Sequence, residues 1–208
     1  MRSRNSSSLI VVNRLPLVVN FKRPLSFCLM NARSVRNKTA DIFDFVCEYK
    51  IDLLAITETW LNANDDAVRN ELCPTNYKLI ALVGGGTALL YRDSLHVKKI
   101  SASVKESFEF SELIVQQPSS QNLRVIILYR PPSSAMHRMP ISTFFSELAD
   151  YLESIVLWEE QLLISGDFNI HVDNAEDTDA RKLIDLLELE DFNSMLQVPI
   201  INMTTPLT

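Results

Sequence analysis

The 208-residue chain is 47% hydrophobic and 8% aromatic, which supplies one sizeable core and excludes global disorder. Its net charge of −6 divides into +8 over an acid-free stretch, residues 1–40, and −14 over the remainder. The acidic body excludes nucleic-acid binding by bulk charge alone and suits carboxylates that gather a cation, while a basic arm suits a polyanion.

Taken in chain order, residues 1–24 ("MRSRNSSSLIVVNRLPLVVNFKRP") read as a basic, loosely ordered extension. Asn13 and Arg14 interrupt the one stretch resembling a signal-peptide core, so the expectation is a nuclear or cytoplasmic protein that is not secreted. Mitochondrial import is the alternative that a basic, acid-free leader leaves open. From residue 25 to 208 a single α/β domain is expected. "LSFCLMN" (25–31) reads as a strand and "NKTADIFDFVCEYK" (37–50) as a helix, with Ile42, Phe45, Val46 and Tyr49 at helical spacing. "DLLAITE" (52–58) is a buried strand, "DDAVRNEL" a short helix, and "YKLIALV" (77–83) a third strand. Gly84, Gly85 and Gly86 turn the chain into "TALLYRD" (87–93), which suggests a hairpin.

A second pair follows, "FEFSELIVQQ" (108–117) and "LRVIILYR" (123–130), ended by Pro131-Pro132. "ISTFFSELADYLESIVL" (141–157) is a strong helix with Phe144, Leu148, Tyr151, Leu152 and Ile155 on one face. "QLLIS" starts another buried strand, Gly166 allows a sharp bend after it, and "DARKLIDLLELE" (179–190) is the last helix. "FNSMLQVPIINMTTPLT" begins a further strand. Hairpin-like pairs mixed with helical connections imply mixed sheets with helices packed outside. Cys28, Cys47 and Cys73 form an odd set without a C-x-x-C pair or zinc spacing, which points to buried thiols in a reducing compartment. The longest apolar stretches fall short of the roughly 20 residues of a membrane span, so no membrane partner is expected.

Four strands end in polar residues: Asn31, Glu58, Tyr129, and Asp167 with Asn169. Each has an ordinary reading, as a turn former, a solvated cap or a packed ring. If the strands align, the ends converge on one rim. They would then offer one carboxylate for a hard cation, a second for a water, and amides and a phenol for phosphate oxygens, the parts that phosphodiester hydrolysis needs.

The segments "LMNARSVRNK", "DLLAITETWL", "GGGTALLYRDSL", "VIILYRPPSS" and "LLISGDFNIHVD" occur in this order. Together they resemble the endonuclease domain of LINE-type (non-LTR) retrotransposons, within the endonuclease/exonuclease/phosphatase superfamily that includes deoxyribonuclease I. The resemblance runs from about Leu25 to Val198. It implies a four-layer sandwich of two packed mixed β-sheets flanked by helices. It also implies Mg²⁺-dependent nicking of DNA, with Mn²⁺ as an alternative ion, by a monomer. The roles implied are Asn31 near the metal, Glu58 as metal ligand and Tyr129 on the scissile phosphate. Asp167 would orient and activate the attacking water, and Asn169 would hold the phosphate in its transition state. Arg92 and Arg130 are weaker candidates for DNA phosphates, and a solvated strand end explains them as well. His171 and Asp173 read as loop residues outside the superfamily's catalytic set, and the triple Gly lacks the Lys-Ser/Thr of a phosphate cradle.

The sequence departs from the resemblance in two places. No basic loop precedes Gly84, and "QVPIINMTTPLT" stands where the family continues towards a catalytic Asp and a catalytic His, neither of which has a match. The expectation is a chain truncated before its last strands and lacking the element's reverse transcriptase. Loss of one member of a catalytic set can lower a rate by about 10³- to 10⁶-fold. The competing expectations are therefore an inactive remnant or nucleic-acid-binding module and, more remotely, a phosphatase acting on a small phosphoester.

Overall fold

A computed structural model describes residues 11–17, 25–82, 86–116, 121–132, 139–155, 160–170, 174 and 176–189. Nine strands and four helices alternate irregularly along them. The first sheet holds β1 (Val11–Leu17), β2 (Leu25–Asn31), β3 (Leu53–Thr57), β4 (Tyr77–Ala81) and β5 (Ala88–Arg92), in the order β1-β2-β3-β5-β4. The second runs β6-β7-β8-β9, from β6 (His96–Val104) through β7 (Glu109–Gln116) and β8 (Leu123–Tyr129) to β9 (Gln161–Asp167). Both sheets are mixed: β2/β3 and β8/β9 pair in parallel and the other neighbours antiparallel. The two expected hairpins, β4/β5 and β7/β8, are both antiparallel pairs.

Period-two alternation gives each sheet two apolar faces. The inner faces meet in one cluster that includes Phe27, Leu29, Leu53 and Leu89 from the first sheet and Leu113, Val125, Ile127 and Leu163 from the second. Residues one position along point outward. Met30, Leu54, Ile56 and Leu90 pack with Ile42 and Val46 of α1 (Thr39–Glu48) and Leu72 of α2 (Asp66–Leu72). On the other side, Phe110, Ile126, Leu128 and Ile164 pack with α3 (Ile141–Ile155) and with Ala180 and Leu183 of α4 (Thr178–Leu189). The layers are therefore helix, sheet, sheet, helix. The face expected of α3, Phe144, Leu148, Tyr151, Leu152 and Ile155, is the face that it buries.

Three expectations need correction. Val11–Leu17 lies in the stretch read as loosely ordered, yet it forms β1 along the edge of β2. Its two Val residues have high strand propensity, and an edge position tolerates Pro16, which has no N–H to donate. The strand β6 was not expected at all. Six of its nine residues are exposed and a register shift between Lys99 and Ser101 breaks its alternation, which removes the sequence signal. Gly166 does not bend the chain, because it sits within β9 opposite Leu128. The remainder of residues 1–24, Gly84 and Gly85, His171 to Asp173 and the segment from Asp191 onward lie outside the described residues.

The short turn between β6 and β7 is fastened to α3. Glu147 accepts hydrogen bonds from Glu106 N (3.1 Å), Ser107 N (2.9 Å) and Ser107 Oγ (2.5 Å). Burial alone would raise this carboxyl's pKa, but the Ser107 and Glu106 bonds outweigh it and leave the pKa below the ordinary value. A depressed pKa in the folded state adds stability above the unfolded pKa, and that stability is lost as pH falls through the folded value. Glu147→Ala should therefore destabilise the chain by about 1–3 kcal/mol at pH 7, as expected for charge-assisted hydrogen bonds. Denaturant unfolding should show the difference at pH 7 shrinking at acid pH, as the wild-type carboxyl takes up a proton below its depressed folded value. An equal difference at both pH values would contradict a charge-dependent clamp.

Candidate functional site

The inner-facing positions that build the inter-sheet core also carry the polar rim. Along β2 the inner series Leu25, Phe27, Leu29 ends at Asn31; along β8, Leu123, Val125, Ile127 ends at Tyr129; along β9, Leu163 is followed by Ser165 and Asp167. Tyr129 and Asp167 are register partners in the parallel β8/β9 pair. The fourth expected end, Glu58, follows β3 beside Asn31, because β2 and β3 are parallel with Asn31 opposite Thr57.

One amide joins these groups. Asn31 Nδ2 donates to Glu58 Oε1 and to Asp167 Oδ2, both at 2.6 Å, and so links a carboxylate from each sheet. Asn31 Oδ1 accepts from Arg33 N at 2.9 Å. Its oxygen is turned to the backbone and its nitrogen to the two carboxylates, so Asn31 enters the cluster as a donor.

Asp167 is only 2% exposed. Burial pushes its carboxyl above the ordinary range, Asn169 N–H and the Asn31 amide pull it back, and the charge of Glu58 raises it further. Tyr129 is 9% exposed, and burial together with Glu58, Asp167 and Glu109 drives its phenol far up, so it stays protonated as a donor. Asn169 lies just beyond β9 with φ 49°; its N–H bonds Asp167 Oδ1 at 3.1 Å and its Nδ2 donates to Arg130 O at 2.6 Å. All five expected strand-end residues therefore converge.

The two arginines do not. Arg92 ends β5, which is antiparallel to β3, so it lies at the opposite rim, with Nε 2.9 Å from Asp52 Oδ1 and its guanidinium 5.1 Å from the Tyr77 ring. Arg130 is near the site but buried: Nη1 donates to Phe168 O (2.9 Å) and Asn169 O (3.3 Å), and its guanidinium lies over Phe144. It shapes the Phe168–Asn169 backbone from within and does not present charge to a ligand.

Two charged residues were missed. Glu109 starts β7 opposite Tyr129 and accepts from Gly86 N at 2.7 Å; burial raises its pKa and the Gly86 bond opposes that. The antiparallel direction of β7 brings a strand start to the rim, and an apolar run that ends in a polar residue carries no sign of it. Arg33 is exposed, two residues after Asn31, and its charge lowers the pKa of Asp167. A cation in the motif holding Asn31 was the available signal.

A groove of about 660 Å³ opens beside the cluster, lined at its inner end by Glu58, Gly86, Glu109 and Tyr129. Among the described residues no group of three or more His, Cys, Asp or Glu side chains forms a ready cation site. The donor set of Glu58 and Asp167 still suits a magnesium ion, which takes hard oxygen ligands and needs only one or two protein carboxylates beside waters and substrate oxygens.

No protein-family model and no curated protein matches the chain. Among solved structures it is similar to the AP endonuclease LMAP from Leishmania major, with TM-score 0.64 and 16% identity over 89% of this chain and 76% of that one. The fold is deoxyribonuclease I-like. An AP endonuclease from Archaeoglobus fulgidus matches with TM-score 0.52 and 14% identity, over 79% and 70% of the two chains. A humanised D. rerio TDP2 matches with TM-score 0.51 and 16% identity over 71% of this chain; the match spans 63% of that protein's chain, under two thirds. At these identities the deoxyribonuclease I-like likeness is one of fold, and it agrees with the sandwich of two mixed sheets expected from the sequence.

Two glycines separate fold from site. A Cβ on Gly166 would stand 2.2 Å from Leu128 O, a backbone atom that cannot yield without moving β8. A Cβ on Gly86 would stand 2.6 Å from Glu109 Oε1 and 2.9 Å from Tyr129 Cδ1, both in side chains. Thermal unfolding should show Gly166→Ala destabilised by about 2–3 kcal/mol through overpacking. Gly86→Ala should cost less, about 1 kcal/mol, the low end for overpacking, while displacing Glu109 and Tyr129. Equal losses in the two variants would contradict this division.

Proposed function

We propose that this chain is a divalent-metal-dependent phosphodiesterase that nicks DNA, derived from the endonuclease domain of a LINE-type retrotransposon. The observation that carries the chemistry is the Asn31 amide bonded to Glu58 and Asp167 beside the protonated phenol of Tyr129. Support for DNA comes from the five ordered sequence motifs, the acid-free basic stretch of residues 1–40, and a fold shared with two proteins named as AP endonucleases.

Glu58, half-buried and facing the groove, would hold Mg²⁺ or Mn²⁺, with the Asp167 carboxylate close by. When bound, such an ion polarises a phosphoryl oxygen as a Lewis acid. The protein groups supply the rest. Asp167, whose raised pKa brings it closer to neutral pH than an ordinary aspartate, accepts a proton from water aligned for in-line attack. The Tyr129 O–H donates to a non-bridging oxygen as negative charge builds there, the P–O bond opposite the water breaks, and the leaving sugar oxygen takes a proton from solvent. Asn169 is fixed by its bond to Arg130 O, and an amide nitrogen carries two N–H groups, so one remains for a phosphoryl oxygen. Asn31 holds the two carboxylates in register and keeps Asp167 oriented.

The test is relaxation of supercoiled plasmid by the purified chain with Mg²⁺. Nicking should stop with a chelator and fall at least about 10³-fold in Asp167→Ala. Absence of nicking at high protein concentration would overturn catalysis by this chain; salt-sensitive DNA binding without cleavage would instead leave a binding module. Faster turnover of a small phosphoester than of DNA would overturn the substrate assignment.

A further inference from the structure

The groove continues outward from Glu58, Gly86 and Tyr129 to Trp60, Val104, Lys105 and Pro131. Trp60 is 59% exposed and Val104 68% exposed, so two large apolar side chains stand open to solvent on the walls of one groove. Exposure of an indole forgoes the burial that usually stabilises so large an apolar surface.

Its position is nevertheless fixed. Trp60 has φ 56° and Glu58 φ 51°, left-handed values that bulky residues rarely adopt, on either side of the buried Thr59. Thr59 N donates to Gly86 O at 3.1 Å, Val35 N to Thr59 O at 3.2 Å, and Ser34 N to Glu58 O at 2.8 Å. The same hydrogen bonds that aim the Glu58 carboxylate therefore aim the Trp60 ring. Strain kept in place by surrounding structure is characteristic of ligand sites.

The charge on the walls indicates the occupant. Glu106 and Lys105 cancel on the outer walls, while Glu58 and Glu109 stand at the inner end, so the outer groove offers no net positive charge to a second phosphate. It suits an uncharged planar group attached to a phosphodiester held at Asn31, Glu58, Tyr129 and Asp167. We infer that Trp60 is a stacking platform for the nucleobase next to the scissile phosphodiester, with Val104 and Pro131 as the facing apolar wall. This rests on the DNA-nicking reading and narrows its substrate class. A base reaches an indole face only when it has left the duplex stack, so the preferred substrate is DNA that is single-stranded or locally opened at the cleavage point.

The experiment is fluorescence anisotropy with two labelled probes, a short oligothymidylate and an abasic sugar–phosphate strand of equal length. Wild type, Trp60→Ala and Trp60→Phe are compared over a salt series. Trp60→Ala should bind oligothymidylate about tenfold more weakly and Trp60→Phe should retain most of the affinity, since base–aromatic stacking needs a ring. Neither variant should change abasic binding or the salt slope, which reports phosphate contacts. Oligothymidylate, and not the abasic strand, should also quench indole emission in wild type more than in Trp60→Phe, which tests the idea even if Trp60→Ala fails to fold. Unchanged oligothymidylate affinity in Trp60→Ala, with plasmid nicking by wild type intact, would overturn the stacking role and leave the nuclease reading standing. Equal weakening on both probes would overturn it as well, as would sedimentation showing that Trp60 instead supports self-association. If wild type binds neither probe and nicks nothing, both readings fail together.

Discussion

The side-chain amide of Asn31 is the joint on which the site depends. It donates to one carboxylate carried by each sheet, Glu58 and Asp167, at equal distances. Two carboxylates this close repel, and the amide donor offsets part of that cost. The joint forms only if the sheets meet in the correct register, and that register is set by the apolar inner faces from Phe27 and Leu29 to Val125, Ile127 and Leu163. Core and site are consecutive parts of the same inward-facing rows. Glu109, Tyr129 and Asp167 stand side by side across β7, β8 and β9 for the same reason.

Much of this was legible in the sequence because it is written in short-range periodicity. Continuous apolar runs ending in a polar residue located Asn31, Glu58, Tyr129 and Asp167, and helical spacing located the buried face of α3. What was not legible depends on strand direction and on close approach. A run of residues does not state which end of β5 reaches the rim, and the β3/β5 pairing is what puts Arg92 beside Asp52, away from the site. Glu109 was hidden for the converse reason, as the first residue of a strand running the other way. Gly166 carried a turn signal, but its smallness serves contact with the Leu128 carbonyl. Arg130 looked like a surface cation, and only the fold shows it donating to Phe168 and Asn169 carbonyls beneath the surface.

Backbone strain is unevenly distributed. Among the described residues seven non-glycine residues have positive φ; five (Arg33, Ser34, Glu58, Trp60 and Asn169) belong to loops at this rim, while Lys50 and Asn76 lie elsewhere. Such conformations persist only where neighbours over-determine them. Here the neighbours are reciprocal: the loop holding Arg33 and Ser34 donates to the carbonyls of Glu58 and Thr59, and Asn169 caps Asp167 while bonding the backbone of Arg130. The loops of the two sheets are thus shaped by hydrogen bonds among themselves as well as by the core beneath.

The clamp at Glu147 extends this coupling beyond the sheets. The β6–β7 turn that Glu147 holds supplies Lys105, Glu106, Ser107 and Phe108 to one wall of the groove, and Phe108 is seated against Phe144 and Tyr151 of the same helix. The helix α3 lies in the outer layer, yet it grips this wall at one carboxylate and at a cluster of rings. Substitutions on α3 at Phe144, Glu147 or Tyr151 therefore bear on the groove wall, although none of these residues lines it.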